Sequence, residues 1–296
     1  MIEGLSTQYS ATRLNGHTSA RDWHAETGFP IRAETDAARC VVITGASRGL
    51  GLALARSYAR PGTLLGLVAR DSRALSVAAD DCRKAGAEVR VRVADITAPT
   101  ALHPWLADLD RACPIDLLIA NAGQFDGRHS DAGNEDIERA IALLRTNLEG
   151  SLRTVHAVLP LMRARGRGHI AVIASLAAVF PLADAPAYSA SKAGLAAYAE
   201  ALRTLVAGKG IRISVVYPGH IATRQTEDHD GALPFLMSPE EAARRIVHGL
   251  ARRPRRLWLP STLAILARLG ALLPSGLRRL AAHSQRFAIR DRVRED

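Results

Sequence analysis

The peptide Tyr188-Ser189-Ala190-Ser191-Lys192 sets a phenol and an ammonium four residues apart. On a helix that spacing puts both side chains on one face, within mutual influence. A free tyrosine titrates near ~10 and is a poor base at neutral pH. A nearby cation stabilises the phenolate and lowers that value, and such a tyrosine can give a proton to a carbonyl oxygen or take one from an alcohol. Ser175 closes the run Ile173-Ala174-Ser175, where its hydroxyl can hold the reacting oxygen against Tyr188. Asn147, in Thr146-Asn147-Leu148-Glu149-Gly150, sits inside a helical pattern that does not favour asparagine. There it can disturb the ladder and hold a water that relays protons from Lys192. Each residue alone has an ordinary explanation: helix-start packing, a surface charge, a strand-end cap, a tolerated polar residue. Together they read as a proton path.

Such a path needs elements that converge on it. From Cys40 onward, short apolar runs alternate with longer amphipathic ones, the pattern of a parallel sheet covered on both faces. Strands are expected at 40–44, 63–69, 88–94, 115–120, 169–175 and 212–218, and helices at 49–60, 72–86, 99–112, 135–165 and 188–208. The prediction is an α/β fold with a doubly wound parallel sheet. Residues 219–237 form a long polar stretch of the kind that serves as a lid. Helix resumes at Ser238-Pro239-Glu240-Glu241, with Ser238 as N-cap, Pro239 as first helical residue and Glu241 as capping-box partner. The run 256–260 is a candidate last strand. Three parts follow: an N-terminal extension without sustained period over 1–38, a sheet domain over 39–260, and a leucine- and arginine-rich helical tail over 261–296.

Directly after the first strand stands Thr44-Gly45-Ala46-Ser47-Arg48-Gly49-Leu50-Gly51. Glycines there let the chain turn sharply and approach a pyrophosphate, and the following helix offers free N–H groups and its positive dipole end. Its position between a buried strand and a helix marks Gly45, Ser47, Arg48, Gly49, Leu50 and Gly51 as a dinucleotide-binding turn rather than a bare connection. A site for NAD usually carries an acid at the end of the second strand, and one for NADP a cation. Here the strand ends Leu67-Val68-Ala69-Arg70, with no acid before Asp71, and Arg48 lies inside the turn. Two arginines can clamp one phosphate, so NADP is the expected cofactor and NAD the alternative. At later strand ends, Asp95 can bond the adenine edge and the small Ala122 and Gly123 leave room for adenosine and ribose. Asn121 ties adjacent strands together. With that cofactor, the proton handled by Tyr188 accompanies a hydride.

The 296 residues suffice for one large α/β domain. Cys40, Cys82 and Cys113 have no paired spacing and no histidines at ligand intervals, which argues against a disulfide framework or a metal site and fits a reducing, cytoplasmic setting. The N-terminus lacks the basic start and apolar run of a secretory signal. A net charge of +10 favours anionic partners, but the charges are scattered, as on a solvated surface. No aromatic-basic platform for nucleic acid is present. Leu257, Trp258, Leu259, Leu263, Ile265, Leu266, Leu269, Leu272 and Leu273 could either touch an anionic membrane peripherally or cover a sheet edge or subunit interface. The substrate pocket is expected around Leu176, Val179, Phe180 and the lid.

These motifs resemble those of the short-chain dehydrogenase/reductase family, in its shorter single-domain branch. The glycine turn Thr44–Gly51, Asn121-Ala122-Gly123 and the tetrad Asn147, Ser175, Tyr188 and Lys192 follow the family's order and approximate spacing over about residues 39–256. The resemblance implies a Rossmann fold and hydride transfer between a nicotinamide and a small-molecule carbonyl or alcohol, with Tyr188 as general acid/base. It further implies that Lys192 binds the nicotinamide ribose, that Ser175 orients substrate and that Asn147 supports the relay. Pro218, Gly219, Ile221 and Thr223 fall in the segment that meets the nicotinamide carboxamide. A homodimer or homotetramer through the helices carrying Asn147 and Tyr188 is implied too. The rival reading is a non-catalytic cofactor-sensing protein whose tail engages a partner.

Overall fold

Seven short runs become parallel strands, the central ones apolar throughout because both of their faces are covered. They are Cys40–Thr44 (β1), Leu64–Ala69 (β2), Glu88–Val93 (β3), Leu117–Ala120 (β4), Gly168–Ile173 (β5), Ile211–Pro218 (β6) and, after a two-residue strand His229–Asp230 (β7), Arg256–Leu259 (β8). The sheet order is β3-β2-β1-β4-β5-β6-β8, every neighbouring pair parallel. The computed structural model describes residues 38–98, 102–129, 133–223, 229–230, 233–274, 276 and 288–289. All but the last residue of the extension expected over 1–38, the first residues of the third helix, the middle of the lid and most of the tail beyond 274 lie outside the described residues. β7 pairs antiparallel with Ala288–Ile289 (β9), joining the lid segment to the C-terminal segment.

β1 and β2 are buried at every residue. One face of the sheet is covered by Gly49–Tyr58 (α1), Ser72–Lys84 (α2) and, later in the chain, Pro239–Ala251 (α7), through Leu54, Leu75, Cys82, Ile246 and Leu250. The other is covered by His103–Ala112 (α3), Ser151–Ala164 (α5) and Pro186–Leu205 (α6), through Leu106, Leu109, Val155, Val158, Leu195 and Leu202. The edge strand β3 exposes Arg90 and Arg92, charges that discourage edge-to-edge pairing. The chain leaves β1 toward β2 on one side and returns at β4 on the other. That reversal opens a crevice at the carboxyl ends of β1 and β4, where ligands bind in such sheets.

One expected element is broken. The helix predicted over 135–165 runs as Ile137–Leu144 (α4), a π-helical turn Arg145–Gly150, and α5. The widened turn places Asn147 inward, fully buried. Side-chain hydroxyls satisfy carbonyls around the break: Thr146 bonds Ala142 O, Ser151 bonds Asn147 O and Thr154 bonds Gly150 O. At α7 the Ser238 hydroxyl accepts from the Glu241 N–H as expected, while the Glu241 carboxylate turns forward to Arg245.

The candidate strand at 256–260 is β8, and Ser261–Leu272 forms the next helix (α8). Leu257, Trp258 and Leu259 therefore belong to the sheet, where Trp258 stacks on Tyr217 at 4.0 Å. Leu263, Ala264 and Ala267 turn α8 toward the core.

Candidate active site

The glycine turn is forced by its own geometry. Gly45 and Gly49 have φ of +68° and +54°, in the left-handed region that favours glycine, and a Cβ on Gly51 would lie 2.0 Å from Gly45 O. Arg48, the residue at the N-cap of α1, supplies no side-chain cap, so first-turn N–H groups remain for an anion at the crevice. Asn121 ties the strands as expected: its Nδ2 donates to Thr44 O at 2.9 Å, and its N–H donates to Thr44 Oγ1. Arg70 lies 3.7 Å from Asp95. Asp95 Oδ1 accepts from the Thr97 N–H and hydroxyl, so the carboxylate expected to reach adenine is already engaged within the chain. Partial burial pushes the Asp95 carboxyl up, but those bonds and Arg70 outweigh it and hold it below its usual range.

Across the crevice, Tyr188 and Lys192 rise from the first turns of α6. Ser175, in extended backbone just past β5, lines the same cavity as Tyr188, and its Oγ accepts from the Ala177 N–H at 3.1 Å. Lys192 Nζ donates to Ile173 O at 2.9 Å and lies 5.8 Å from the Tyr188 ring centroid. The expected depression of the tyrosine does not dominate here. Burial raises the Tyr188 phenol above its ordinary value, with the neighbouring Ser175 hydroxyl opposing, and burial brings Lys192 down to about 8. Desolvation penalises both charged forms, and spacing along a helix carries no information about it.

Asn147 is held on three sides. Its Oδ1 accepts from the Gln124 N–H at 2.7 Å, and its Nδ2 donates to Gln124 O at 2.8 Å and to Ser191 Oγ at 3.1 Å. A Cβ on Gly123 would meet Asn147 Oδ1 at 3.1 Å and Lys192 Nζ at 3.3 Å. The bare glycine thus keeps a small polar recess open between them.

One cavity of about 690 Å³ joins these parts. Every residue that the sequence marked for the cofactor lines it, and so do Ser175, Tyr188 and Lys192; Asn147 stands just behind, beneath Gly123. A tight turn with spare N–H groups, two cations at one end and an amphoteric hydroxyl pair at the other fit a nicotinamide dinucleotide. Comparison with known proteins agrees. A family profile described as short chain dehydrogenase matches residues 39–232.

The chain belongs to the short chain dehydrogenase family.

As such it is an NAD(P)-dependent oxidoreductase. An uncharacterized oxidoreductase of Myxococcus xanthus is 35% identical over 249 residues, 84% of this chain and 98% of that protein. A short-chain dehydrogenase from Sphingobium yanoikuyae in complex with NADPH has a TM-score of 0.67 at 29% identity, covering 83% of this chain and 96% of that one. An L-sorbose reductase from Gluconobacter frateurii complexed with NADPH and L-sorbose has a TM-score of 0.64 at 28% identity, covering 75% and 94%.

Sequence reasoning missed several neighbours in this dehydrogenase. Ser191 donates to Tyr188 O at 2.7 Å while accepting from Asn147, so it couples the two helices; its place between Tyr188 and Lys192 was a signal. Phe125 packs edge-on to Tyr188 at 4.8 Å, which no local pattern announced. Leu176 and Phe180 line the cavity, but Val179 packs on the core instead. The far wall comes from α8, through Leu263 and Ala267, beyond the span that the family profile matches. Their four-residue spacing was visible; which way the helix faced was not.

Proposed function

We propose that the enzyme is an NADP(H)-dependent reductase of a carbonyl, or dehydrogenase of the corresponding secondary alcohol, with Tyr188 as general acid/base. The observation that carries this reading is that Ser175, Tyr188 and Lys192 line the same cavity as the glycine turn. When bound, the nicotinamide supplies or accepts the hydride. Ser175 holds the substrate oxygen, and the Tyr188 hydroxyl gives its proton to that oxygen or takes it back. Because burial keeps Tyr188 protonated, the form that can donate to a carbonyl oxygen is ready at neutral pH. Lys192 binds the nicotinamide ribose. The recess between Lys192 and Asn147 is the place for a relaying water, with Asn147 fixed by Gln124 and Ser191.

Preference for NADP is supported by Arg48 and Arg70 on the cavity wall. Asp71, the nearest acid after β2, also lines the cavity, but one of its carboxylate oxygens is engaged by the Ala74 N–H as N-cap of α2. Pro218, Gly219, Ile221 and Thr223 would meet the carboxamide. For assembly, an open cleft of about 600 Å³ on α4 and α5, lined by Ile141, Leu144, Leu148 and Leu152, supports a homodimer or homotetramer with contacts there.

NADPH oxidation against a panel of aldehydes and ketones tests the proposal. Turnover that collapses in Tyr188→Phe while NADPH binding persists supports it; no NADPH binding to the native protein overturns it.

A further inference from the structure

α8 has two apolar faces of opposite use. On the inner one, Leu263 and Ala267 line the cavity, and Gly270 lies so close to Phe180 that a Cβ there would meet the ring at 2.9 Å. On the outer one, Ile265, Leu266, Leu269 and Leu272 are 57%, 57%, 58% and 81% exposed. Their spacing puts them on one stripe of the helix. The lid adds Phe235 and Leu236, also exposed, directly after Pro234 on the cavity wall. Carbon-rich side chains therefore border the mouth from two separate elements, an arrangement that marks a contact surface.

We propose that this outer face of α8 beds in the headgroup–acyl boundary of an anionic lipid bilayer, and that the site takes an apolar carbonyl or alcohol from that bilayer. The second half rests on the oxidoreductase reading above; the first does not. Charge selects the occupant. The chain carries +10, and Arg268 projects from α8 itself, exposed, with its guanidinium 5.6 Å from the Trp258 ring. Such a balance draws a protein to an anionic surface. Size points the same way. A 12-residue helix is about 18 Å long, and four side chains on it fall short of the ~800 Å² per partner that a stable dimer buries. An in-plane helix needs only its own face. Among the described residues no helix is long and apolar enough to cross a membrane, so the contact is peripheral. The substrate end of the cavity is apolar to match: Leu176, Phe180, Leu182, Leu233, Leu263 and Ala267.

Flotation of the full-length protein with vesicles of phosphatidylcholine alone, or with phosphatidylglycerol added, reads the docking without any turnover. Recovery is expected with the anionic vesicles, falling roughly tenfold or more in Leu266→Glu/Leu269→Glu. Ile265→Gln/Leu272→Gln is a milder second pair in case the first misfolds, judged by circular dichroism. NADPH oxidation with a short water-soluble ketone should stay unchanged in both pairs, while oxidation with a long-chain ketone dissolved in vesicles should fall. Equal flotation of native and variant proteins, or none at either composition, would overturn the proposal. So would a native oligomer that the variants split, by light scattering, without vesicle binding, since the face would then be a subunit contact. Flotation without any NADPH binding would refute the NADP(H) reading and leave the docking standing.

Discussion

Under the proposed function, binding at the β1 end of the cavity falls to main-chain N–H groups, three glycines and exposed charges, and at the α8 end to the shapes of carbon side chains. The first end works through atoms that every residue possesses, so its specificity sits in a few positions where a side chain must be absent or cationic. The second works through side-chain volume, where each methyl matters and no single residue is indispensable. Between them, Ser175 and Tyr188 serve whatever the two ends deliver. The division explains how one fold can keep its cofactor while its substrates vary.

If the proton-handling corner is distinct from both ends, Tyr188→Phe should lower kcat by about 10²–10⁴-fold with NADPH affinity changed less than about threefold; stopped-flow fluorescence titration and steady-state rates read the two separately. A matching loss of NADPH affinity would break the separation. Next in size, Arg48→Ala/Arg70→Ala should raise the KM for NADPH by roughly 30–100-fold, the worth of charge-assisted bonds to one phosphate, and leave the KM for NADH nearly unmoved. At the other end, Leu263→Ser should lower kcat/KM for a long-chain ketone by about tenfold and spare both a short ketone and the KM for NADPH. A shift in the KM for NADPH there would show that the ends communicate.

The smallest effect concerns Lys192. Burial lowers its pKa from 10.5 to about 8, so between those values the unfolded chain holds the proton that the folded one has shed. Stability should therefore rise with pH from about 8 to 10.5, and below 8 the cost is present in full, on the order of 3 kcal/mol. Lys192→Met removes that cost but strands Ile173 O, which offsets part of the gain. The cofactor-free variant should melt a few degrees higher than the native protein at pH 7 and lose that advantage by pH 10.5, as calorimetry would show.

How legible each end was follows from chain distance. Gly45, Gly49 and Gly51 fall within one turn, and Arg70 caps the next strand, so local pattern suffices for them. The central strands likewise came through because burial on both faces leaves an unbroken apolar run, while the edge strand β3 showed itself by alternating valines. The disturbance at Asn147 was legible from an asparagine in a helical run, but its form as a π turn was not, because the bonds from Gln124 and Ser191 that hold it come from distant segments. The inward turn of Leu263 and the engagement of Asp95 by Thr97 are tertiary outcomes of the same kind. Tyr188 and Lys192 were found by spacing, yet their acidities are set by loss of water, which spacing does not record.

The small ladder between β7 and β9 has a mechanical consequence. By pairing His229 with Ile289 and Asp230 with Ala288, it closes the intervening chain into a ring that contains α7, β8 and the cavity wall α8. A latch of two residue pairs can fray without disturbing the main sheet. Removing the chain from Ala288 onward would unfasten it, far along the sequence from Ser175, Tyr188 and Lys192.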